Sequence, residues 1–250
     1  MHQARLDHRD VLFREDGVLA VNKPAGVPVH GGKILEGSPQ TLLALVRELE
    51  ANLMHVAHRL DRPVSGAVLF SRSRDQLADL GRQFAEGRVT KCYLAVVRGW
   101  TDAMGEISHP LLPPKDVRRP GDTPRESLTR YERIAEVELP LAVGRYATAR
   151  YCLLALYPKT GRRHQLRMHL KHVSHPLIGD TTYGRGEHNR VFRERMKCRR
   201  LLLHARSLGF THPANGRPVT VHAPLDAEFA GVVEALGWAD ALRRWDGLAG

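Results

Sequence analysis

The 250-residue sequence predicts an α+β fold, with a mixed and largely antiparallel sheet flanked by helices. Three observations carry that expectation. Short apolar runs bounded by Gly, Pro and Asp recur along the chain and outnumber the helical segments. Helical periodicity returns in only a few places, each opened by a capping residue or a turn. Strands and helices also fail to alternate in the βαβ rhythm of a parallel sheet.

In order along the chain, VLFRED and GVLAVNKP flank Asp16-Gly17, a strong two-residue turn signal, and form a hairpin. Ser38-Pro39 reads as an N-cap with Pro in the first turn, opening a helix through TLLALVRELE. The short run His55-Val56-Ala57 leads into HRLDRPVSG, where Pro63 and Gly66 argue for a loop; AVLFS is then a strand. Ser73 followed by Gln76 reads as a capping box for a helix to about Ala85. TKCYLAVVRGW is a strand, with Cys92, Leu94 and Val96 on one face and Tyr93, Ala95 and Val97 on the other. Residues 102–130 carry five prolines and read as an irregular charged excursion. ARYCLLALYP is a strand, and Thr160-Gly161 turns into a helix through HQLRMHLKHV. LLLHARSLGF and the segment around THPANGRPVTVHAP make a strand pair. A closing helix begins at Asp226 and runs to about Leu236, within a helical C-terminal segment grouped as 226–250. One domain is expected, with its core at about residues 10–225.

Composition narrows the function. Hydrophobic content of 42% and charged content of 26% are ordinary for a globular protein. No apolar run reaches the length of a membrane span, and MHQARLDHRD is too polar for a signal peptide. Three scattered cysteines give neither a disulfide framework nor a zinc site and fit a reducing cytoplasm. The net charge is +11, and only seven of the 38 basic residues are Lys. An Arg-dominated excess suits phosphate and base contacts, and so an RNA partner.

Two segments carry chemistry. In HRLDRPVSG, Asp61 lies between Arg59 and Arg62 on a loop between apolar strands, where a carboxylate can serve as nucleophile or base. A salt-bridged surface turn gives the same pattern. In TGRRHQLRMHLKH, helical spacing puts Arg163, Arg167 and Lys171 on one face, with His164 close to it. The helix start after Thr160-Gly161 is a seat for phosphate; a solvated basic face is the plain alternative. His164, His169, His172 and His175 lack nearby carboxylates or an HExxH pattern, so a metal is not expected. Tyr93 alone reads as a sheet aromatic. Lys23-Pro24-Ala25-Gly26 reads as a turn after a strand, and no P-loop, dinucleotide fingerprint or GxSxG elbow is present.

Taken together these segments resemble the RluA-type pseudouridine synthases. HRLDRPVSGAVLF is similar to the family's catalytic segment, VLAVNKPAGVPVH to its N-terminal strand and Lys-Pro turn, and KCYLAVVRG to its tyrosine strand. KTGRRHQLRMHLKHVSHPLIGDTTYG resembles its third motif, and LLLHARSLGFTHPANGRPVTVHAP its last strands. Within the family, the Pro after HRLDR, the phrase GRYATARY, the run KHVSHPLIGDTTYG with HNR after it, and the ending ALGW are similar to a branch acting on tRNA at the edge of the acceptor stem. The resemblance implies the pseudouridine synthase catalytic fold, an isomerase, and no cofactor, because the reaction leaves redox balance unchanged. It leaves no room for the N-terminal RNA-binding module of some relatives, and it implies no membrane and no obligate protein partner.

The resemblance also implies roles. Asp61 is the essential carboxylate, as nucleophile at C1′ or as base. Arg167 pairs with Asp61, Tyr93 lies against the uracil with Leu166 beside it, and Arg59 enters the stack that the uridine leaves. Lys23 and Arg62 are phosphate or loop contacts; Arg163, His164 and Lys171 are RNA contacts. One position departs from the pattern: Val64 stands where the family usually has Thr. Rival readings are a ribosomal RNA synthase, a glycosidase or metal nuclease, which need further acids, and a non-catalytic RNA binder, which has little use for an acid in a phosphate groove.

Overall fold

A computed structural model describes residues 6–31 and 40–248. The elements in chain order are β1 (Val11–Glu15), β2 (Val18–Lys23), α1 (Leu42–Glu50), β3 (His55–Val56), β4 (Ser65–Ser71), α2 (Arg74–Ala85), β5 (Thr90–Arg98), β6 (Met104–Ser108), β7 (Leu128–Leu139) and β8 (Ala149–Pro158). They continue with α3 (Gln165–His172), α4 (Gly186–Arg195), β9 (Leu203–Thr211), β10 (Pro218–His222), α5 (Ala227–Ala235) and α6 (Ala239–Leu248). They fall into two compact units, Met1–Lys91 with His204–Leu225, and Cys92–Leu203 with Asp226–Gly250.

In the first unit β1, β2 and β4 pair antiparallel in that order, β3 adds to β4, and β10 pairs antiparallel with β9. β4 and β9 run parallel, with Gly66 opposite Ala205, so the sheet is mixed. The β1–β2 turn has positive φ at both Asp16 and Gly17, which matches the right-handed strand twist. Val18, Ala20, Leu69, Leu80, Leu208 and Phe210 are buried together in its core. Each Leu or Phe there contributes about 1.5–3 kcal/mol by leaving water. In the second unit β5, β8, β7 and β6 pair antiparallel. Tyr151 through Leu156 of β8 are all fully buried. That explains a continuous apolar run where a half-exposed strand would alternate.

Several expectations need correction. Ser38 and Pro39 lie outside the described residues; α1 begins at Leu42, and the Thr41 side chain caps it by accepting from Ala44 N–H. Ser73 caps α2, but the capping box is only half made, because Ser73 N–H donates to Ser71 Oγ and Gln76 Oε1 accepts from the Ser71 hydroxyl instead. The stretch 102–130 is not irregular throughout: it holds β6 and the start of β7. Gly66 does not end regular structure but lies inside β4. Its φ is +113°, and a Cβ there would fall 2.3 Å from the Ala205 carbonyl oxygen. The C-terminal segment is two helices, broken at Gly237 with φ +71°. Trp238 and Trp245 donate indole N–H groups to the Glu136 carbonyl and the Glu132 carboxylate.

Candidate active site

The Asp61 loop is held by short-range bonds within the first unit. The Asp61 carbonyl accepts from Val64 N–H at 3.0 Å, closing a turn over Arg62 and Pro63. The Arg62 carbonyl accepts from Gly26 N–H at 2.9 Å, and Arg62 Nε returns a bond to the Gly26 carbonyl at 3.0 Å. The loop is thereby clasped to the Lys-Pro-Ala-Gly turn that ends β2. Asp61 is half-buried, and Arg59 and Arg62 are exposed on either side.

Lys23 is fully buried. Its ammonium donates to the carbonyls of Pro24, Val27 and Arg62 at 2.9, 2.7 and 3.1 Å. A buried cation with three acceptors is a structural clamp; of the two roles expected for Lys23, phosphate or loop contact, these bonds are those of a loop contact, and they grip the residue next to Asp61. Beyond the loop, Ser65 Oγ lies 2.7 Å from His204 Nδ1, and His204 Nε2 lies 3.0 Å from the Ala223 carbonyl. A carbonyl only accepts, so Nε2 carries the proton and Nδ1 accepts from Ser65. Val64 is 3% exposed; its branched side chain packs in the interior. On the other side His58 Nε2 accepts from Leu69 N–H at 3.1 Å, with its ring against Phe84. Burial, with Lys91 adding repulsion, pushes the His58 imidazole down to about 4.

The second unit carries Tyr93, Leu166 and Arg167. Tyr93 is half-buried on β5 opposite Leu156 of β8. Leu166 and Arg167 are buried in the first turn of α3. Arg167 forms a bidentate pair with Asp180, Nε to Oδ2 at 2.7 Å and Nη2 to Oδ1 at 2.9 Å. Oδ1 also accepts from the N–H groups of Thr182 and Tyr183. Burial pushes the Asp180 carboxyl up, but these bonds outweigh it and leave it below the usual carboxylate range. Tyr183 gathers three of the expected residues: Arg167 lies 5.0 Å and Lys171 5.8 Å from its ring centre, and its hydroxyl is 3.0 Å from His164 Nδ1.

The basic helix face therefore does not exist as read from spacing. Arg163 precedes α3, His164 is its N-cap with a left-handed φ of 57°, Arg167 is buried and Lys171 is exposed. Acids from distant positions relieve the expected repulsion: Arg163 meets Asp116 at 2.6 Å, and Arg167 meets Asp180. The helix start is partly closed by its own residues, and no side chain caps it. Gln165 Oε1 accepts from Arg162 N–H and the Thr160 hydroxyl, and Gln165 N–H donates to the Arg162 carbonyl. His169 and His175 are engaged elsewhere: His169 sits by Thr129 and the His109 carbonyl, and His175 by the Arg98 carbonyl. His172 stacks on His109 with ring centres 3.6 Å apart. Asp180 and Tyr183 were missed by residue spacing; the Gly-Asp turn at 179–180 was the available signal.

A basic chain with a mixed α+β sheet thus holds a clamped loop carrying Asp61 and an arginine fixed by its own buried acid. Residues 17–172 match the family described as RNA pseudouridylate synthase. The chain is 37% identical over 238 residues to tRNA pseudouridine synthase C of Vibrio cholerae, covering 93% of this chain and 98% of that one. It is 42% identical over 235 residues to tRNA pseudouridine synthase C of Haemophilus ducreyi, covering 92% and 96%. The solved structure of human RNA pseudouridylate synthase domain containing 1 aligns with a TM-score of 0.65 at 27% identity, covering 91% and 94%. The chain belongs to the RNA pseudouridylate synthase family and is an isomerase with the pseudouridine synthase fold. Among the described residues no helix is long and apolar enough to cross a membrane.

Proposed function

We infer that this protein isomerises a specific uridine to pseudouridine in tRNA, at the edge of the acceptor stem, in the cytoplasm. The observation that supports it most is the loop: Asp61 opens a turn whose next residue is gripped by three hydrogen bonds, in a chain whose relatives bear the name tRNA pseudouridine synthase C. A catalytic carboxylate needs such fixed aim.

The reaction breaks the bond from C1′ to N1, turns the uracil, and joins C1′ to C5; the C5 proton is lost and N1 gains one. No electron is gained or lost overall, so no redox cofactor is required. Asp61 is the essential carboxylate. Arg167, itself fixed by Asp180, pairs with Asp61 and aims it. Tyr93 lies against the uracil with Leu166 beside it and helps move the C5 proton. Arg59, exposed beside Asp61, fills the stack that the flipped uridine leaves. Arg62, Arg163, His164 and Lys171 meet the RNA.

The test is to map pseudouridine across tRNA and ribosomal RNA in cells with and without the gene. Loss of one tRNA pseudouridine is the expected result. Loss confined to ribosomal RNA would replace tRNA as the substrate, and no loss in either would overturn the reading.

A further inference from the structure

Outside the residues so far assigned, the second unit carries an exposed surface built from arginines and aromatics. Trp100 is 38% and Tyr146 49% exposed, large for rings of this size. Each is covered by a guanidinium. Arg150 lies 4.2 Å from the Trp100 ring centre, and Arg145 lies 5.1 Å from that of Tyr146, to whose hydroxyl it also donates. Beside Tyr146 and Arg150 a cavity of about 290 Å³ opens, lined also by Arg98 and His188. His188 is held by the Tyr151 hydroxyl at 2.9 Å. A second cavity of about 290 Å³ shares Arg98 and adds Lys171, Tyr183 and Arg185.

Arg98 thus links two basic hollows, and the second ends at Tyr183, the ring over which Arg167 sits. We propose that this surface, from Tyr183 through Arg98 to Tyr146 and Arg150, binds the RNA strand flanking the target uridine, with Tyr146 and the Arg150–Trp100 pair as stacking platforms. The proposal rests on the function inferred above. Two acids, Glu138 against Arg150 and Glu187 near Gly144, leave the surface cationic. Alternating cations and π faces are the pattern that takes single-stranded RNA, where phosphates meet Arg and bases stack on rings or guanidinium planes. An acidic protein would use the charges but has no need of an exposed Tyr146 ring lining a hollow of base size, nor of the guanidinium-covered Trp100 next to it.

The test uses the full chain carrying Asp61→Asn, which holds RNA without turnover, and unmodified tRNA transcript as probe. Adding Tyr146→Ala with Arg150→Ala is expected to weaken tRNA binding about tenfold, as loss of one stacked base does. It should also lower the slope of log affinity against log salt by about one. A short hairpin lacking the flanking strand should bind within twofold of the parent. Arg150→Lys keeps the charge and loses the plane, so it should restore the salt slope and not the affinity. If the double variant melts early, Arg145→Glu on the exposed rim is read in its place and should weaken tRNA binding in the same way. Unchanged tRNA affinity and slope, or an equal loss on the short hairpin, would overturn the surface; a protein-binding face would give the former. Weakened tRNA binding in the double variant, beside a chain with Asp61 intact that forms no pseudouridine in any RNA, would sink the function inferred above and leave the surface standing.

Discussion

Arg167 and Asp180 form a bidentate ion pair whose side chains are 6% and 0% exposed. The pair spans α3 and the turn after Gly179, so it fixes the start of the helix on which Leu166 and Arg167 sit. Removing the acid takes away the two charge-assisted bonds that offset the burial of the guanidinium. Asp180→Ala is expected to lower stability by about 3–5 kcal/mol, measured by urea unfolding. Asp180→Asn keeps the shape and one acceptor, and should fold well while kcat falls at least tenfold with KM nearly unchanged. A fall in stability with full kcat in the folded fraction would make the pair purely structural.

Lys23 gives a prediction that separates its two readings. Lys23→Met leaves three carbonyls without their charged donor, so stability should drop by about 2–4 kcal/mol. The clasp on Arg62 loosens with it, and kcat should fall at least tenfold. Affinity for tRNA should stay within twofold, since the ammonium is buried. A loss of affinity with kcat intact would restore the phosphate role that the burial argues against.

Asp61→Asn should abolish pseudouridine formation while leaving tRNA affinity largely intact; retained turnover would sink the assignment. Arg59 is exposed and holds a different kind of role. Arg59→Ala should slow the reaction more on structured RNA than on an unpaired oligonucleotide, because only the former has a stack to break. Equal losses on both would argue against base extraction.

How far these residues were legible in the sequence depends on how local their causes are. The Asp16-Gly17 turn, the Ser73 cap and β8 were readable, because each follows from a few neighbouring residues. Asp61 could be singled out by position on its loop, but spacing alone favoured a salt-bridged surface turn, and the family resemblance supplied its role. The pairs Arg163–Asp116 and Arg167–Asp180 were not readable, since their acids lie 47 and 13 residues away. The burial of Lys23 in its turn was not readable because its three acceptors are backbone carbonyls, which carry no residue signature. The α4 helix, with buried His188 and Phe192 in a polar stretch, gives almost no apolar period to read.

His58, three residues before Asp61, makes the loop's surroundings sensitive to acid. Burial, helped by Lys91, pushes its imidazole from 6.5 down to about 4, and its Nε2 must stay unprotonated to accept from Leu69 N–H. The unfolded chain takes up a proton near pH 6.5, and the folded chain resists until about 4. Between those values the unfolded state binds more protons, so falling pH favours unfolding. The stabilising contribution is complete above pH 6.5 and is lost progressively down to about pH 4. At pH 5 the cost is about 2 kcal/mol relative to pH 7, by proton linkage at this one group. Burial also lowers His169 and His188, which add to the trend. His58→Gln keeps an acceptor for Leu69 and removes the titration. Urea unfolding at pH 7 and pH 5 should therefore show a smaller loss of stability in the variant than in the parent, by about 2 kcal/mol. An identical loss in both proteins would place the acid sensitivity elsewhere.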